Sequence, residues 1–502
     1  MKEPTLSVGS QLRGQTTAAA GSGSVKRMAF TEYAEHDGLG LAELIRRREV
    51  TPAEVLEAAI AAIERHNGAL NAVVHKAYDE ARATAANVLP DGPFTGVPFL
   101  IKDLGAQVKG WPRTSGSNFA QVAADEQDSE LIARYRASGV VLAGKTNTPE
   151  FGIPGVTNSQ RLGPCGNPWN PEHISGGSSG GAAAAVASGM VPMAHASDGL
   201  GSIRIPAANC GLVGMKITRD RTPICEVTDQ ALGFSVHHVV SRTVRDSAAM
   251  LDATGYASPE DPFQAPAKAR PYLEEVARSP GKLRIAWSAE TPSGRPIDPE
   301  VEGRLHATVE ALGKLGHEVF EQGLGIDYRG LYRVQAQVSA SNFAASIRRW
   351  TELLGREPKA GELGPLAERA RSGGQRMTGE QTFWAWQQLR LYVRQILKTF
   401  ENIDVYLTPT MSRPSPRLDW LNPLNLELRE FDRRQADTYA TTPPFNFTGQ
   451  PSLSLPLWQS QSGLPIGMMF TGKFADEATL YRLAGQLEKE LPWKDRRPAI
   501  YG

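Results

Sequence analysis

The stretch Ser175-Gly-Gly-Ser178-Ser179-Gly-Gly181 runs directly into the alanine-rich block Ala182 to Ala187, and it constrains this chain more than any other segment. By composition alone it matches a flexible linker. A linker, however, has no reason to continue into a helix-forming alanine block and then into a second glycine cluster, Gly199-Leu-Gly-Ser202-Ile-Arg204. Glycines so placed let the backbone take positive φ and approach a ligand closely. Amide groups freed by such turns point outward and can hold a developing negative charge.

Several chemistries compete for these serines. Gly176-Gly-Ser178-Ser-Gly180 fits the G-x-S-x-G elbow of α/β-hydrolases, which needs a strand directly before the serine. The preceding Asn167-Pro-Trp-Asn-Pro-Glu-His-Ile174 carries two prolines and reads as a poor strand. His195 is the histidine nearest the second cluster, but a packed core role suits it better than a catalytic one. No HExxH occurs, so zinc hydrolysis has no support and no metal is expected. Lys102 is the better base. It ends the apolar run Phe99-Leu-Ile, where desolvation lowers an amine's pKa and frees it to accept a proton. Taken alone, a lysine at a strand end is an ordinary surface residue.

The bulk numbers exclude other classes. The chain has 502 residues, 41% hydrophobic and 22% charged, an ordinary mix for a globular protein with a sizeable core. Lys plus Arg equals Asp plus Glu at 54 each, so no net field favours nucleic acid or an anionic membrane. No run of 18 apolar residues is present, so no membrane span is expected. The cysteines Cys165, Cys210 and Cys225 form no ligand spacing, and their odd number argues against a disulfide framework. This reads as a reducing compartment, the cytoplasm. Residues 1–27 are small and polar, without the apolar core of a secretory signal; they read as a disordered leader or expression scar, with 28–502 as the folded domain.

Helix and strand signals alternate, which predicts an α/β layered fold. Thr51-Pro52-Ala53-Glu54 is a capping box that opens a helix through Val55 to Ile63, which Asn67-Gly68 is expected to stop. Gly96 to Lys102 and Gly139 to Gly144 read as buried strands, with a helix over 129–137 between them. Later helices are expected over 299–315, 334–354 and 380–400, and strands at Val405 to Thr408 and Ser452 to Leu455. The region 320–400 is rich in aromatics (Tyr332, Phe343, Trp350, Phe383, Trp384, Trp386). They either pack inward from surface helices or wall a substrate pocket.

Taken together, Gly176-Gly-Ser-Ser-Gly-Gly181, Asp198-x-x-Gly-Ser-Ile-Arg204 and Pro206-Ala-Ala-x-Cys-Gly211 resemble the amidase signature family. The resemblance is ordered along nearly all of 28–502. It includes Gly96-Val-Pro-Phe-Leu-Ile-Lys-Asp103, Gly144-Lys-Thr-Asn-Thr-Pro-Glu-Phe151, Arg242-Thr-Val-Arg-Asp246, Leu407-Thr-Pro-Thr410 and Asn446-Phe-Thr-Gly-Gln-Pro451. It implies a single amidase signature domain, with a mixed central β-sheet covered on both faces by helices, and a triad of Lys102, Ser178 and Ser202, with a cis peptide at Ser178. Ser202 would be the nucleophile and neutral Lys102 the base, relayed through the Ser178 hydroxyl. The backbone N–H groups of Gly199, Leu200, Gly201 and Ser202 would form the oxyanion hole. No cofactor is implied.

One departure matters. The family's G-T-D-x-G-G-S reads Ala196-Ser-Asp-Gly-Leu-Gly-Ser202, with Leu200 at a common glycine. If that position needs only negative φ, the leucine N–H still serves and its side chain narrows the pocket; if positive φ is needed, the leucine is strained. A related branch, the cyclic-dimer amide hydrolases, also replaces this glycine, and the chain resembles that branch together with the aryl acylamidases and urethanases. The expected substrate is therefore a small, fairly apolar amide, anilide or carbamate. Alternatives are the glutaminase subunit of a tRNA-dependent amidotransferase and an inactive binding protein on the same fold. Asp198 and Arg204 read as a structural pair. The Asn446 glycosylation sequon is one a cytoplasmic chain would not use. The oligomeric state is not legible, a homodimer being one option.

Overall fold

The computed structural model describes residues 1, 30–223, 233–439 and 441–502. The leader expected over 1–27, Met1 apart, and Cys225 lie outside the described residues.

The backbone of the fold is an 11-stranded mixed sheet. In chain order the strands are β1 (Val73–Lys76), β2 (Pro98–Lys102), β3 (Val141–Thr146), β4 (Gly166–Asn167), β5 (Asn170–Ile174), β6 (Met193–Asp198) and β7 (Val213–Lys216). They continue with β8 (Val236–Ser241), β9 (Arg284–Trp287), β10 (Glu318–Glu321), β11 (Val405–Pro409), β12 (Ser452–Gln459) and β13 (Pro465–Gly472). Across the sheet the order is β1-β3-β2-β6-β8-β7-β12-β13-β11-β9-β10, with β4 and β5 forming a separate pair. β2 runs parallel to both β3 and β6, whereas β6 and β8 are antiparallel.

Strand β2 shows why both faces are covered. Phe99 and Ile101 pack with Leu131, Ile132 and Met250 on one side, while Leu100 packs with Leu56, Ile63 and the alanine block on the other. Burial on both faces is what turns this strand into a continuous apolar run rather than an alternating one. The same two-residue period carries Lys102 to the side of Leu100, toward the helix Gly180–Ala187. Every residue of that helix is buried. Small side chains let it lie close against the sheet, and Ser178 sits in the turn that enters it.

Local signals are realised with two differences. The capping box at Thr51 and Glu54 is formed, but the helix runs Pro52–Leu70, through Gly68, and ends where Asn71 turns left-handed at φ 49°. One glycine weakens a helix by only about 1 kcal/mol, which tertiary packing of Leu56, Ile60 and Ile63 overrides. Asn170–Ile174, read as a poor strand, is β5, paired with β4 outside the main sheet and bridged once, from His173 to Arg417. Of the two prolines only Pro171 falls within it, and Pro168 lies before it.

Candidate active site

Lys102, Ser178 and Ser202 converge where β2, the 175–179 turn and the loop after β6 meet. The Lys102 Nζ donates to Ser178 Oγ at 2.7 Å and to Ser197 Oγ at 3.0 Å. Lys102 is fully buried, and burial pulls its pKa down to about 7, against a smaller upward pull from the Asp198 carboxylate. A neutral amine is therefore available near neutral pH. The peptide between Gly177 and Ser178 is cis. Ser178 is 2% exposed, so its hydroxyl faces the lysine and not solvent.

Ser202 is half-buried, the most accessible of the three. Its carbonyl accepts the Ser179 N–H at 3.3 Å, which places it one peptide from Ser178. No hydrogen bond joins the two hydroxyls, and among the described residues the Ser202 hydroxyl has no partner. Catalytic contacts commonly close only with substrate bound. The second serine of the pair is engaged elsewhere. Ser179 Oγ donates to the Ser197 carbonyl at 3.2 Å and accepts its N–H at 3.3 Å, which fastens the turn to β6.

Asp198 shapes the loop. Its carboxylate accepts the N–H groups of Gly201 at 2.6 Å and Ile203 at 3.2 Å, and both Nε and Nη2 of Arg204. Burial raises its pKa, but the Arg204 charge and these bonds outweigh it and hold the group well below the usual carboxylate range. Asn446 braces the pair, donating to Asp198 Oδ1 at 2.9 Å and accepting from Arg204 at 2.6 Å. The sequon asparagine is thus 1% exposed and committed to this network.

This loop corrects one expectation and decides another. Gly201 has a single N–H, and Asp198 takes it, so it cannot also face a substrate oxyanion. The amides of Gly199, Leu200 and Ser202 find no acceptor among the described residues. The positive φ falls on Gly201, at 127°, and not on Leu200. The leucine is therefore unstrained, and its carbonyl accepts from Thr442 Oγ1 at 2.7 Å.

Apolar groups flank the loop. Leu200 packs with Phe234, Phe447 and Trp386, the last from the helix Gly379–Thr399. On the Ser178 side, Phe151 meets Phe343 edge to face at 5.3 Å. The long helix Tyr328–Leu354 supplies Val338 to the first group and Phe343 to the second. Of the aromatics noted in the sequence, Phe383 and Trp384 instead face outward, 71% and 51% exposed. An open groove of ≈ 480 Å³ lined by Glu290, Thr291, Arg295 and Tyr328 contains none of the three triad residues.

Sequence reasoning missed Ser197 as a lysine partner, Asn446 as a brace and the committed amide of Gly201. The order of motifs held the first two, since Ser197 precedes Asp198 and Asn446 opens Asn446-Phe-Thr-Gly-Gln-Pro451, but their partners lie far away in sequence. Among the described residues no cluster of side chains could hold a metal ion, and no helix is long and apolar enough to cross a membrane.

Comparison with known proteins shows the family. The family model described as Amidase matches residues 54–481. The chain is 36% identical over 480 residues to the 6-aminohexanoate-cyclic-dimer hydrolase of Paenarthrobacter ureafaciens, covering 92% of this chain and 96% of that one. A solved 6-aminohexanoate cyclic dimer hydrolase superposes with a TM-score of 0.87 at 34% identity, covering 93% and 99% of the two chains. A bacterial aryl acylamidase of the amidase signature family superposes with a TM-score of 0.81 at 27% identity, covering 92% and 97%.

Proposed function

The chain belongs to the amidase family and is an amide-hydrolysing enzyme; from that premise we propose that it cleaves small, fairly apolar amides, anilides or carbamates through an acyl-enzyme on Ser202. The observation that carries this reading is the fully buried Lys102 amine, 2.7 Å from the Ser178 hydroxyl.

Neutral Lys102 takes the Ser178 proton as Ser178 takes that of Ser202, and Ser202 Oγ attacks the carbonyl carbon. The oxyanion forms against the N–H groups of Gly199, Leu200 and Ser202, each worth about 3 kcal/mol in such a site. The relay then returns its proton to the leaving nitrogen, the C–N bond breaks, and the acyl group stays on Ser202. Water, deprotonated by the same relay, hydrolyses the ester and restores Ser202.

The apolar bias rests on the walls. Leu200, Phe234 and Trp386 on one side, with Phe151 and Phe343 on the other, offer no charged partner to a substrate. The relatives' names point the same way, to a cyclic amide dimer and to aryl amides. We place the enzyme in the cytoplasm, in keeping with the free thiols of Cys165 and Cys210.

The test is a panel of an aliphatic amide, an anilide, an aryl carbamate and glutamine, run on wild type and Ser202→Ala. Turnover of the anilide or carbamate, lost in the variant, is the expected result. Undiminished anilide hydrolysis by Ser202→Ala overturns the nucleophile assignment. Glutamine as the one good substrate would move the protein to the amidotransferase class.

A further inference from the structure

Two histidines lie directly behind Lys102. His195, on β6, is fully buried, and its Nδ1 accepts the backbone N–H of Lys102 at 3.2 Å. Its Nε2 lies 2.9 Å from Nδ1 of His237, on the neighbouring antiparallel strand β8. The two ring centroids are 5.2 Å apart with 7° between planes. With nitrogens in contact, that geometry puts the rings edge to edge in one plane, joined by one N–H···N bond.

The contact answers a gap in the sheet. β2 and β6 share a single register pair, Leu100↔Ala194, so the ladder has ended before Lys102. A buried N–H left there without an acceptor would be costly. The imidazole stands in for the missing carbonyl. A backbone N–H only donates, so His195 Nδ1 is bare and its proton sits on Nε2. His237 Nδ1 must then be bare as well. An imidazolium at 195 would set one N–H against another.

We propose that His195, its tautomer set by His237, is a positioning residue for Lys102, holding the last residue of β2 so that Nζ reaches Ser178 and Ser197 together. This rests on the assignment of Lys102 as the base. The pair stays uncharged while the lysine titrates: burial pushes both imidazoles down, His237 to about 3. The groups facing His195 are Lys102, His237 and the Tyr135 ring, with the charges of Lys145 and His238 further off. Those facing Lys102 are Ser178, Ser197 and the Asp198 charge.

The experiment measures kcat and KM for an anilide from about pH 5 to 9 in wild type, His195→Leu, His195→Asn and Lys102→Met. An ångström of misplacement costs roughly 100-fold, so His195→Leu is expected to lower kcat about tenfold or more while KM moves less than about threefold. Its acid limb also moves, because the amine sits in altered surroundings. His195→Asn, whose Oδ1 can accept the same N–H, recovers most of kcat and the limb. A leucine variant with wild-type kcat and an unmoved limb overturns the proposal, as do equal losses in the leucine and asparagine variants. Should His195→Leu not fold, His237→Leu carries the test: a displaced limb supports the tautomer lock and an unmoved one overturns it. Activity surviving in Lys102→Met is a different failure, that of the base assignment itself.

Discussion

The Lys102 amine meets two hydroxyls, Ser178 Oγ at 2.7 Å and Ser197 Oγ at 3.0 Å, and forms no ion pair among the described residues. A buried lysine without a carboxylate partner sheds its proton readily, here near pH 7. The proposed relay uses the unprotonated amine. Activity should therefore be full above about pH 8 and fall tenfold for each unit below about pH 6. A kcat/KM profile that stays flat between pH 5 and 8 would show that no group with the lysine's pKa of about 7 gates the step.

Asp198 binds the loop amides and Arg204 at once, both residues being 0% exposed. Asp198→Asn leaves a buried guanidinium without its counter-charge, a loss of about 3–5 kcal/mol. Chemical denaturation should report it. The substitution also removes a negative charge that favours the lysine's ammonium form. Any activity that remains should show its acid limb displaced to lower pH, which the pH profile checks.

The side chain of Leu200 is expected to bear on selectivity, whereas its backbone N–H serves the proposed oxyanion site. Because its φ is not positive, glycine at this position brings no relief of strain, only the loss of an apolar surface facing Phe234 and Trp386. Leu200→Gly is expected to lower kcat/KM for an anilide by about tenfold, the scale of a few lost methylene contacts. Acetamide-sized substrates should change less than about threefold. The ratio of the two specificity constants is the measurement, and an unchanged ratio removes Leu200 from the pocket wall.

Gly152 stands against the relay. Its φ is 69°, and a Cβ there would lie 2.7 Å from Leu104 Cδ2 and 3.0 Å from Ser178 Oγ. Gly152→Ala should cost more than about 1 kcal/mol of stability, because alanine is strained at positive φ. A second effect falls on Ser178, whose hydroxyl must shift. We expect kcat of the folded variant to fall by about tenfold or more, with thermal unfolding reporting the backbone cost separately.

Much of this molecule is legible along the chain. The capping box at Thr51, the strand ending in Lys102 and the passage of Ser178 into an alanine helix are local patterns, decided by neighbours a few residues apart. Motif order then names Lys102, Ser178 and Ser202 as a set. What tertiary structure alone decided depends on partners remote in sequence. The Lys102 N–H reaches His195 across 93 residues, and its Nζ reaches Ser197 across 95. Asn446 closes on Asp198 across 248. The amide of Gly201 was open to either of two acceptors, a substrate oxyanion or a carboxylate three residues back, and the fold chose Asp198. Hydrogen-bond direction and burial are properties of the packed whole, and no periodicity in the chain encodes them.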